Sequence, residues 1–318
     1  MKNQTWPNIA VLGAGAIGCY FGGMLARAGM KVTLIGRQKH VDPINRNGLH
    51  FQSRDLEAHI PIVATSDIAA VGHARLILFC VKSLNTEDAA QKMAPHLAPD
   101  AVILSMQNGV DNVERIRLHT KNQVMPVLVY AAAQMPAPGS VEHTGGGSLI
   151  IGQANEARAS DESSQRPLRE IAALFIAAGI PVKISENIET DLWTKLVMNC
   201  AYNAISALCD ARYGQMVAIP GVRDIIRDTV KEAMQVAHAK GVRLSANVFE
   251  AVIELADGMP QTMSSTAQDI LKGKSTEIDH LNGYVARQGE ALGIPTPVNH
   301  ALCALMKLLE QTRSGLSG

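Results

Sequence analysis

The chain has 318 residues, of which 47% are hydrophobic and 18% are charged. This composition is ordinary for a globular protein and argues against a disordered chain, and the length suggests two domains. Lysine and arginine together number 29, as do aspartate and glutamate, and no basic run occurs, which argues against a nucleic-acid partner. We therefore expect a small-molecule partner. The apolar segments fall short of the ~20 residues that a membrane-spanning helix needs, so no membrane partner is expected.

The cysteines are odd in number and widely scattered, and they contain no Cys-x-x-Cys pair. This pattern disfavours a disulfide framework or a zinc site, so we expect buried thiols, a reducing cytoplasm and no metal. Residues 9–30 are apolar enough to suggest a signal peptide as an alternative, but six glycines would break its apolar helix. The five cysteines are Cys19, Cys80, Cys200, Cys209 and Cys303.

The first predicted elements are typical of dinucleotide binding. An apolar strand at residues 8–12 precedes Gly-Ala-Gly-Ala-Ile-Gly at 13–18, a helix at 19–28 and a second strand at 31–35. In this order, Gly13 permits a tight turn, Gly15 lets the backbone approach a pyrophosphate, and Gly18 allows close packing of helix on strand. The amino end of the helix then faces the anion. The sequence therefore predicts a Rossmann-type nucleotide site.

The end of the second strand indicates which cofactor is bound. NAD-preferring proteins place an acidic residue there for the ribose hydroxyls, whereas this chain has Gly36-Arg37. The guanidinium of Arg37 could pair with a 2′-phosphate, so NADPH is favoured over NADH. The alternative is that Arg37 is an ordinary solvated arginine at a strand end.

Two further buried strands, at residues 76–81 and 101–104, deliver polar residues to their carboxyl ends. The first leads to Lys82 and the second to Asn108, and such strand ends border the ligand crevice of an open parallel sheet. Lys82 could therefore contact the cofactor, and Asn108 could contact cofactor or substrate. The alternatives are a surface lysine and an Asn-Gly turn.

The remaining apolar runs of the first half are short. Runs at residues 124–130, 141–143 and 148–151 predict antiparallel strands added to the sheet, and a run at 180–184 predicts a last strand. Between them, a polar stretch at 155–166 is expected to open a helix. We place the domain boundary near Ser185, which predicts a Rossmann-type domain at 1–185 and an all-helical domain at 186–318.

The second half reads as a series of helices. A Ser/Thr-rich turn at residues 264–266 interrupts them, and helix capping by Ser264 or Ser265 is one explanation of its polar residues. The predicted helices span 189–208, the residues after Gly221 to about 240, 246–256, and 275 or 276–292, with a terminal helix that starts at residues 293–297.

Three polar residues are spaced by four in the first of these helices: Lys195, Asn199 and Asn203. Each step of four residues advances about 400° around an α-helix, so the three side chains share one stripe, which we call the ladder. A cation flanked by two amides is suited to a small oxygen-rich anion. The alternative is a solvated helix face, on which exposed lysines and asparagines are common.

Taken together, these residues resemble the ketopantoate reductase family along essentially the whole chain. The glycine turn is generic, whereas the ladder combined with Ser265 and Glu277 is specific to that family. The matching segments are residues 13–18, Val81-Lys82, Gln107-Asn108-Gly109, the ladder, Ser264-Ser265 with Gln268-Asp269-Ile270, and residues 276–279 with Asn282-Gly283.

The resemblance implies NADPH-dependent reduction of the ketone of a 2-oxo acid, 2-dehydropantoate, in pantothenate biosynthesis. It implies that Lys195 is the general acid that protonates the carbonyl oxygen, and that Glu277 orients the ammonium or meets the product hydroxyl. The implied substrate-binding residues are Asn108 and Ser265 at the carboxylate, with Asn199 and Asn203 on the remainder. The implied cofactor-binding residues are Gly13, Ala14, Gly15, Ala16, Ile17, Gly18, Arg37, Lys82 and Asn108.

One position departs from the family pattern. Members often carry a further substrate-binding Asn ten residues after the ladder, and this chain has Tyr213 there, preceded by Arg212. A reductase of another branched or larger 2-oxo acid is therefore an alternative. A protein that senses NADPH without chemistry is a second one, which the presence of Lys195 and Glu277 disfavours. A monomer and a homodimer are both compatible with the sequence.

Overall fold

The structure, a computed structural model, describes residue 6 and residues 8–153 and 162–315. The chain divides into two compact units, residues 1–188 and 189–318. Among the described residues, all of the strands belong to the first unit, and the second unit contains helices. The fold-class prediction, a Rossmann-type domain followed by a helical one, is confirmed. The predicted boundary was near Ser185, and the first unit ends at Ile188.

Within the part of the chain that the structure describes, ten strands form one mixed sheet. Their order is β4-β3-β9-β8-β7-β6-β1-β2-β5, and β10 pairs with β9. Pairing is parallel from β8 through to β5, as expected for a dinucleotide-binding fold. The strands are β1 (Ile9–Leu12), β2 (Val32–Ile35), β3 (Leu49–Ser53), β4 (Leu56–Ile60), β5 (Val63–Thr65), β6 (Leu76–Phe79), β7 (Val102–Ser105), β8 (Gln123–Gln134), β9 (Ser140–Ile151) and β10 (Val182–Ile184).

Both faces of the parallel section are buried. Successive residues of a strand point to opposite faces, so Val11 of β1 joins one hydrophobic cluster and Leu12 joins the other. The helix that follows β1 covers the first face with Phe21, and the helix that follows β6 covers the second with Met93. Burial on both faces explains why these strands are continuous apolar runs that the sequence reveals readily.

The helices of the first unit connect the strands. The first helix begins at Ala16, three residues before the predicted start at Cys19, because Gly18 lies inside the helix rather than in the turn. Residues 155–161, where the start of another helix was predicted, lie outside the described residues. The helices are α1 (Ala16–Arg27), α2 (Gln38–Asn47), α3 (Thr86–Met93), α4 (Asn112–Arg117) and α5 (Glu162–Ala177).

The prediction of separate strands at 141–143 and 148–151 is wrong. Both runs belong to β9, which continues through the glycines between them and pairs antiparallel with β8. The register between the two strands shifts twice, at Tyr130/Ala131 and at Ala132/Ala133, so the extra residues are accommodated as irregularities. Glycines often end a strand, but the glycines of β9 continue it because β8 pairs with β9 on both sides of them. The first part of β8 also pairs parallel with β7, which the sequence did not indicate.

The helices of the second unit follow the predicted series with one correction. A single helix from 275 or 276 to 292 was predicted, whereas the structure has a short 3₁₀ turn at Ile278–His280 followed by a helix that begins at Asn282. Leu281 has φ −113° and ψ −107°, which interrupts the helix. The helices are α6 (Ile188–Cys209), α7 (Tyr213–Ala218), α8 (Pro220–Ala239), α9 (Val248–Gly258), α10 (Ser265–Leu271), α11 (Asn282–Leu292) and α12 (Pro297–Gly315).

Several short elements were not predicted, namely β3, β4, β5, α2, α3, α4 and α7. Each is short or half-exposed, so its sequence carries a weak periodic signal. The expectation that all cysteines are buried thiols is wrong for Cys209, which is exposed at the end of α6. The five thiols are unpaired.

Candidate functional site

The glycine turn between β1 and α1 has the geometry of a phosphate-binding turn. Gly13 has φ +112°, and a Cβ there would lie 2.7 Å from the main-chain carbonyl carbon of Cys80, so only glycine fits. A Cβ on Gly18 would overlap the carbonyl oxygen of Gly13 and lie 2.9 Å from Val11 Cγ1. Gly18 is therefore required for the close packing of α1 on β1.

Gly15 differs from its two neighbouring glycines because it is exposed, and a Cβ built on it meets no atom within 4 Å. Gly15 is the N-cap residue of α1, and no side chain of a described residue caps this end of the helix. The first amide groups of a helix lack intrahelical partners and attract anions. This turn therefore fits the pyrophosphate of a dinucleotide.

The other residues predicted in the glycine turn occupy different positions. The side chain of Ala14 is buried in the core of the first unit, so only its backbone is placed to contact a ligand. Ala16 and Ile17 are half-buried in the first turn of α1, and Ile17 packs against the same core. Gly36 is glycine because a Cβ there would lie 2.6 Å from the Cβ of Ala14.

The sheet register brings the remaining predicted cofactor residues to one edge of the sheet. Leu12 pairs with Ile35 of β2 and with Phe79 of β6, and Phe79 pairs with Ser105 of β7. Strands β1, β2, β6 and β7 therefore end side by side. The residues that follow at this edge are the glycine turn, the exposed Arg37, the half-buried Lys82 and the half-buried Asn108.

The loops after β6 and β7 are joined by side-chain hydrogen bonds. Gln107 Nε2 donates to the carbonyl oxygen of Val81 at 2.9 Å and to Thr86 Oγ1 at 2.7 Å. Ser83 Oγ donates to the carbonyl oxygen of Asn108 at 2.9 Å. The backbones that carry Lys82 and Asn108 are therefore held in a defined relation to each other.

In the second unit, the ladder lies along α6 as predicted. Lys195 and Asn199 are half-buried, whereas Asn203 is only 2% exposed. The side-chain amides of Asn199 and Asn203 form no hydrogen bond with a described residue. Leu196 and Val197 lie off this stripe and are buried. The ladder is thus a polar stripe on a helix that is otherwise packed, and both of its amides keep unused hydrogen-bonding groups.

The ionisation of Lys195 is strongly perturbed. Burial lowers its pKa from 10.5 to about 8, and the negative charge of Glu277 acts in the opposite direction and raises it. Desolvation disfavours the ammonium, while a nearby carboxylate favours it. A lysine whose pKa lies close to neutrality can donate a proton and recover it readily, as general acid catalysis requires.

The serines before α10 have different roles. Ser264 is the N-cap residue, and its hydroxyl accepts a hydrogen bond from the backbone N–H of Ala267 at 3.0 Å. The same hydroxyl donates to the carbonyl oxygen of Asn203 at 3.2 Å, which ties α10 to the ladder helix. Ser265 is the first residue of α10 and is exposed. Capping therefore accounts for Ser264 and leaves the hydroxyl of Ser265 accessible.

Tyr213 is the first residue of α7 and is buried. Its ring stacks on Tyr202 of α6 with centroids 4.5 Å apart, and burial raises its pKa to about 12. The backbone N–H of Tyr213 donates to the carbonyl oxygen of Thr262, close to Ser264 in the chain. The guanidinium of the neighbouring residue Arg212 donates to the carbonyl oxygen of Gln261. This bond stabilises the loop that precedes α10.

The sequence did not indicate Asn112, which is 3% exposed and bonds to the Asn108 loop. An asparagine at the start of a helix usually suggests a cap, so its residue type alone did not distinguish it. Among the described residues, no group of three or more His, Cys, Asp or Glu is placed to hold a metal ion. None of the described helices is both long and apolar enough to cross a membrane.

Family models match both units. The model described as ketopantoate reductase PanE/ApbA matches residues 9–156, and the model of its C-terminal part matches residues 187–310. The chain belongs to the ketopantoate reductase family. Its members are oxidoreductases, and the chain is 32% identical to a 2-dehydropantoate 2-reductase of Pyrococcus horikoshii over 96% of this chain and 99% of that protein.

Solved structures agree with this assignment. A PanE/ApbA family ketopantoate reductase of Ralstonia eutropha superimposes with a TM-score of 0.89 at 45% identity, covering 96% of this chain and 99% of that one. A complex of D-mandelate dehydrogenase with NADH superimposes with a TM-score of 0.83 at 25% identity, with the same coverage. The same fold therefore occurs in proteins that are named for two different activities.

Proposed function

We propose that this protein reduces the ketone of 2-dehydropantoate to pantoate with NADPH, as a step of pantothenate biosynthesis in the cytoplasm. The observation that carries the proposal is the half-buried Lys195, whose pKa lies near 8 and is raised by the charge of Glu277. Lys195 shares its stripe with two amides that form no hydrogen bond with a described residue. Curated relatives such as the P. horikoshii protein carry the name of this activity. The unpaired thiols agree with a reducing compartment.

Residues of the first unit are assigned to the cofactor. The glycine turn and the amino end of α1 would hold the pyrophosphate, while Arg37 and Lys82 would pair with phosphate groups. Arg37 is exposed and forms no ion pair with a described residue, so its guanidinium is available to a 2′-phosphate. When bound, the nicotinamide supplies the hydride for the reaction.

Residues of the second unit are assigned to the reacting ketone. Lys195 Nζ transfers its proton to the carbonyl oxygen as the carbonyl carbon gains the hydride, which yields the alcohol and leaves a neutral amine. The ammonium also stabilises the negative charge that develops on that oxygen. Glu277 would orient the ammonium or meet the product hydroxyl, and its negative charge favours the charged form of Lys195. Ser265 would bind the carboxylate, and Asn199 and Asn203 the rest of the substrate. In the first unit, Asn108 is assigned to substrate or cofactor.

The test is steady-state oxidation of NADPH with 2-dehydropantoate and a panel of other 2-oxo acids. Strong preference for 2-dehydropantoate supports the proposal, and absence of its turnover contradicts it. Replacing NADPH by NADH should raise the KM of the cofactor, and Arg37→Ala should reduce that difference. Arg46→Ala provides the matched control, because Arg46 is an exposed arginine of the neighbouring helix α2.

A second candidate, reduction of a bulkier 2-oxo acid, is favoured by Tyr213. The Tyr202–Tyr213 stack places an aromatic surface where an amide is common in the family, and a structural relative is D-mandelate dehydrogenase. The panel should therefore contain phenylglyoxylate, the 2-oxo acid that corresponds to mandelate. If phenylglyoxylate is preferred and Tyr213→Asn reverses that preference, the substrate assignment changes and the role of Lys195 is retained.

A further inference from the structure

The loops that follow β6 and β7 meet at one buried amide, Asn112. Its Nδ2 group donates to the carbonyl oxygen of Asn108 at 2.6 Å and to Ser83 Oγ at 3.4 Å. Its Oδ1 atom accepts from Thr86 Oγ1 at 2.9 Å and from Arg115 Nη1 at 3.2 Å. The amide therefore has two donated and two accepted hydrogen bonds, which is the full number that an asparagine side chain can form.

Arg115 extends this arrangement and orients the amide. Its Nη2 group donates to the carbonyl oxygen of Ser83 at 2.9 Å, and Nε pairs with Glu87 Oε1 at 3.0 Å. The arginine side chain is 12% exposed, so these bonds are only weakly screened by solvent. Because Arg115 and Thr86 occupy the oxygen of Asn112, the NH₂ group must face the Asn108 loop.

We propose that Asn112 is a positioning residue that sets the distance and orientation between the loop carrying Lys82 and the loop carrying Asn108. This rests on the proposed function, in which Lys82 binds cofactor phosphate and Asn108 binds substrate or cofactor. Ser83 Oγ, from the β6 loop, and Asn112 Nδ2, at the start of α4, both donate to the carbonyl oxygen of Asn108. Asn112 Oδ1 also accepts from Thr86, which follows the β6 loop, so this one side chain is bonded to both loops. Asn112 is only 3% exposed, and its proposed role is exerted through these loops.

The bonds are suited to positioning because they act on backbone that lacks regular secondary structure. Residues 106–111 lie between the end of β7 and the start of α4, and Gly109 has a φ of +95°. Met106 N–H still donates to the carbonyl oxygen of Phe79, but residues 107–110 belong to no strand or helix, whose ladder or helical bonds would define the backbone path. The side-chain bonds from Asn112 and Ser83 replace them, so losing the Asn112 donor should loosen ligand binding before it affects the chemical step.

The test is Asn112→Asp, which keeps the size of the side chain and both accepted bonds but loses the donor. A carboxylate oxygen would then face the carbonyl oxygen of Asn108. We expect the Kd for NADPH, measured by fluorescence titration, and the KM for the 2-oxo acid each to rise about tenfold. The kcat and the pH profile set by Lys195 should stay within about threefold, since Lys195 belongs to the other unit.

Asn122→Asp is the matched control. Asn122 Nδ2 donates to the carbonyl oxygens of Ala98 and Ala101, both at 2.9 Å, and Ala101 precedes β7 at the opposite end of that strand from Asn108. The same chemical change there should lower the melting temperature and leave the Kd and the KM unchanged. Equal effects of the two variants on Kd and KM would overturn the proposal.

Two other results need their own tests: an Asn112→Asp variant that does not fold, and a wild-type protein that reduces no 2-oxo acid. Should Asn112→Asp not fold, Ser83→Ala removes the other donor to Asn108 and must raise the Kd or the KM; an unchanged Kd and KM overturn the proposal. If the wild-type protein binds NADPH but reduces no 2-oxo acid, the proposed function fails. The comparison of Kd values between Asn112→Asp and Asn122→Asp then still decides the role of Asn112.

Discussion

The two units hold their polar site residues by different physical means. In the first unit, Lys82 and Asn108 follow separate strands, and their loops depend on side-chain bonds such as those of Gln107 and Asn112. In the second unit, the ladder lies on one continuous helix, α6, whose backbone sets the spacing of the three residues. The comparison shows that a loop site needs supporting side chains around it, whereas a helical site needs a well-packed helix.

The second unit supplies that packing through buried polar contacts as well as apolar ones. Glu232 of α8 accepts hydrogen bonds from the backbone N–H groups of Val298 and Asn299 at the start of α12, both at 2.9 Å. Asn299 Oδ1 accepts from Asn282 Nδ2, which also donates to the carbonyl oxygen of Cys200 on α6. The ladder helix is thus linked by hydrogen bonds to α11 and α12.

The largest effect is expected from Lys195→Ala. Loss of a general acid should lower kcat by about 10² to 10⁴, while the Kd for NADPH stays unchanged because the cofactor residues lie in the first unit. Steady-state kinetics and fluorescence titration measure the two quantities. Lys231→Ala, an exposed lysine of α8, is the control and should leave both unchanged. An equally active Lys195→Ala variant would remove lysine from the mechanism.

The next largest effect tests the packing of the ladder helix. Glu232→Ala leaves the backbone N–H groups of Val298 and Asn299 without an acceptor. It also removes one of the two hydrogen bonds of the Asn299 side-chain amide, which keeps its bond to the carbonyl oxygen of Thr229. We expect it to lower the free energy of unfolding by about 3 kcal/mol, measured by chemical denaturation. Glu254→Ala, at an exposed position of α9, should cost less than about 0.5 kcal/mol. Similar costs would mean that the buried carboxylate does not stabilise this unit.

The pH dependence separates the ladder from the loop site. The pKa of Lys195 is about 8, and the ammonium is the acid form, so the reduction rate should fall about tenfold per pH unit above pH 8. Glu277 raises this pKa, so Glu277→Gln should move the decline to lower pH. A pH–rate profile of each variant measures both effects. A shift to higher pH in Glu277→Gln would contradict the charge assignment.

The smallest effect distinguishes the adjacent serines. Ser264→Ala removes the cap of α10 and should lower the free energy of unfolding by about 1 kcal/mol, measured by denaturation. Ser265→Ala should leave stability nearly unchanged and raise the KM for the 2-oxo acid, because its exposed hydroxyl is assigned to the substrate. Each variant serves as the control for the other. A larger loss of stability in Ser265→Ala than in Ser264→Ala would mean that Ser265, not Ser264, caps α10.

The glycine turn illustrates which features of the site the sequence predicts and which it does not. The order of strand, glycines and helix predicted a dinucleotide site, and the structure adds that Gly13 and Gly18 are required by close contacts while Gly15 faces open space. The start of α1 was misplaced because glycine has a low helix propensity, whereas Gly18 is kept helical by its packing. The prediction of one helix across Leu281 failed because leucine is a good helix former, so the residue type does not reveal that its backbone leaves the helical region.

The sequence by itself determined the Rossmann-type and helical halves and the common stripe of the ladder, because strand and helix periodicities are local properties of the backbone. Only the tertiary structure decided that Lys195 titrates near pH 8 and that Ser264 caps α10. It also decided which side chains hold the Asn108 loop, since Ser83 and Asn108 are 25 residues apart in the chain. Burial and partners that are distant in sequence control these properties, and both exist only once the chain is folded.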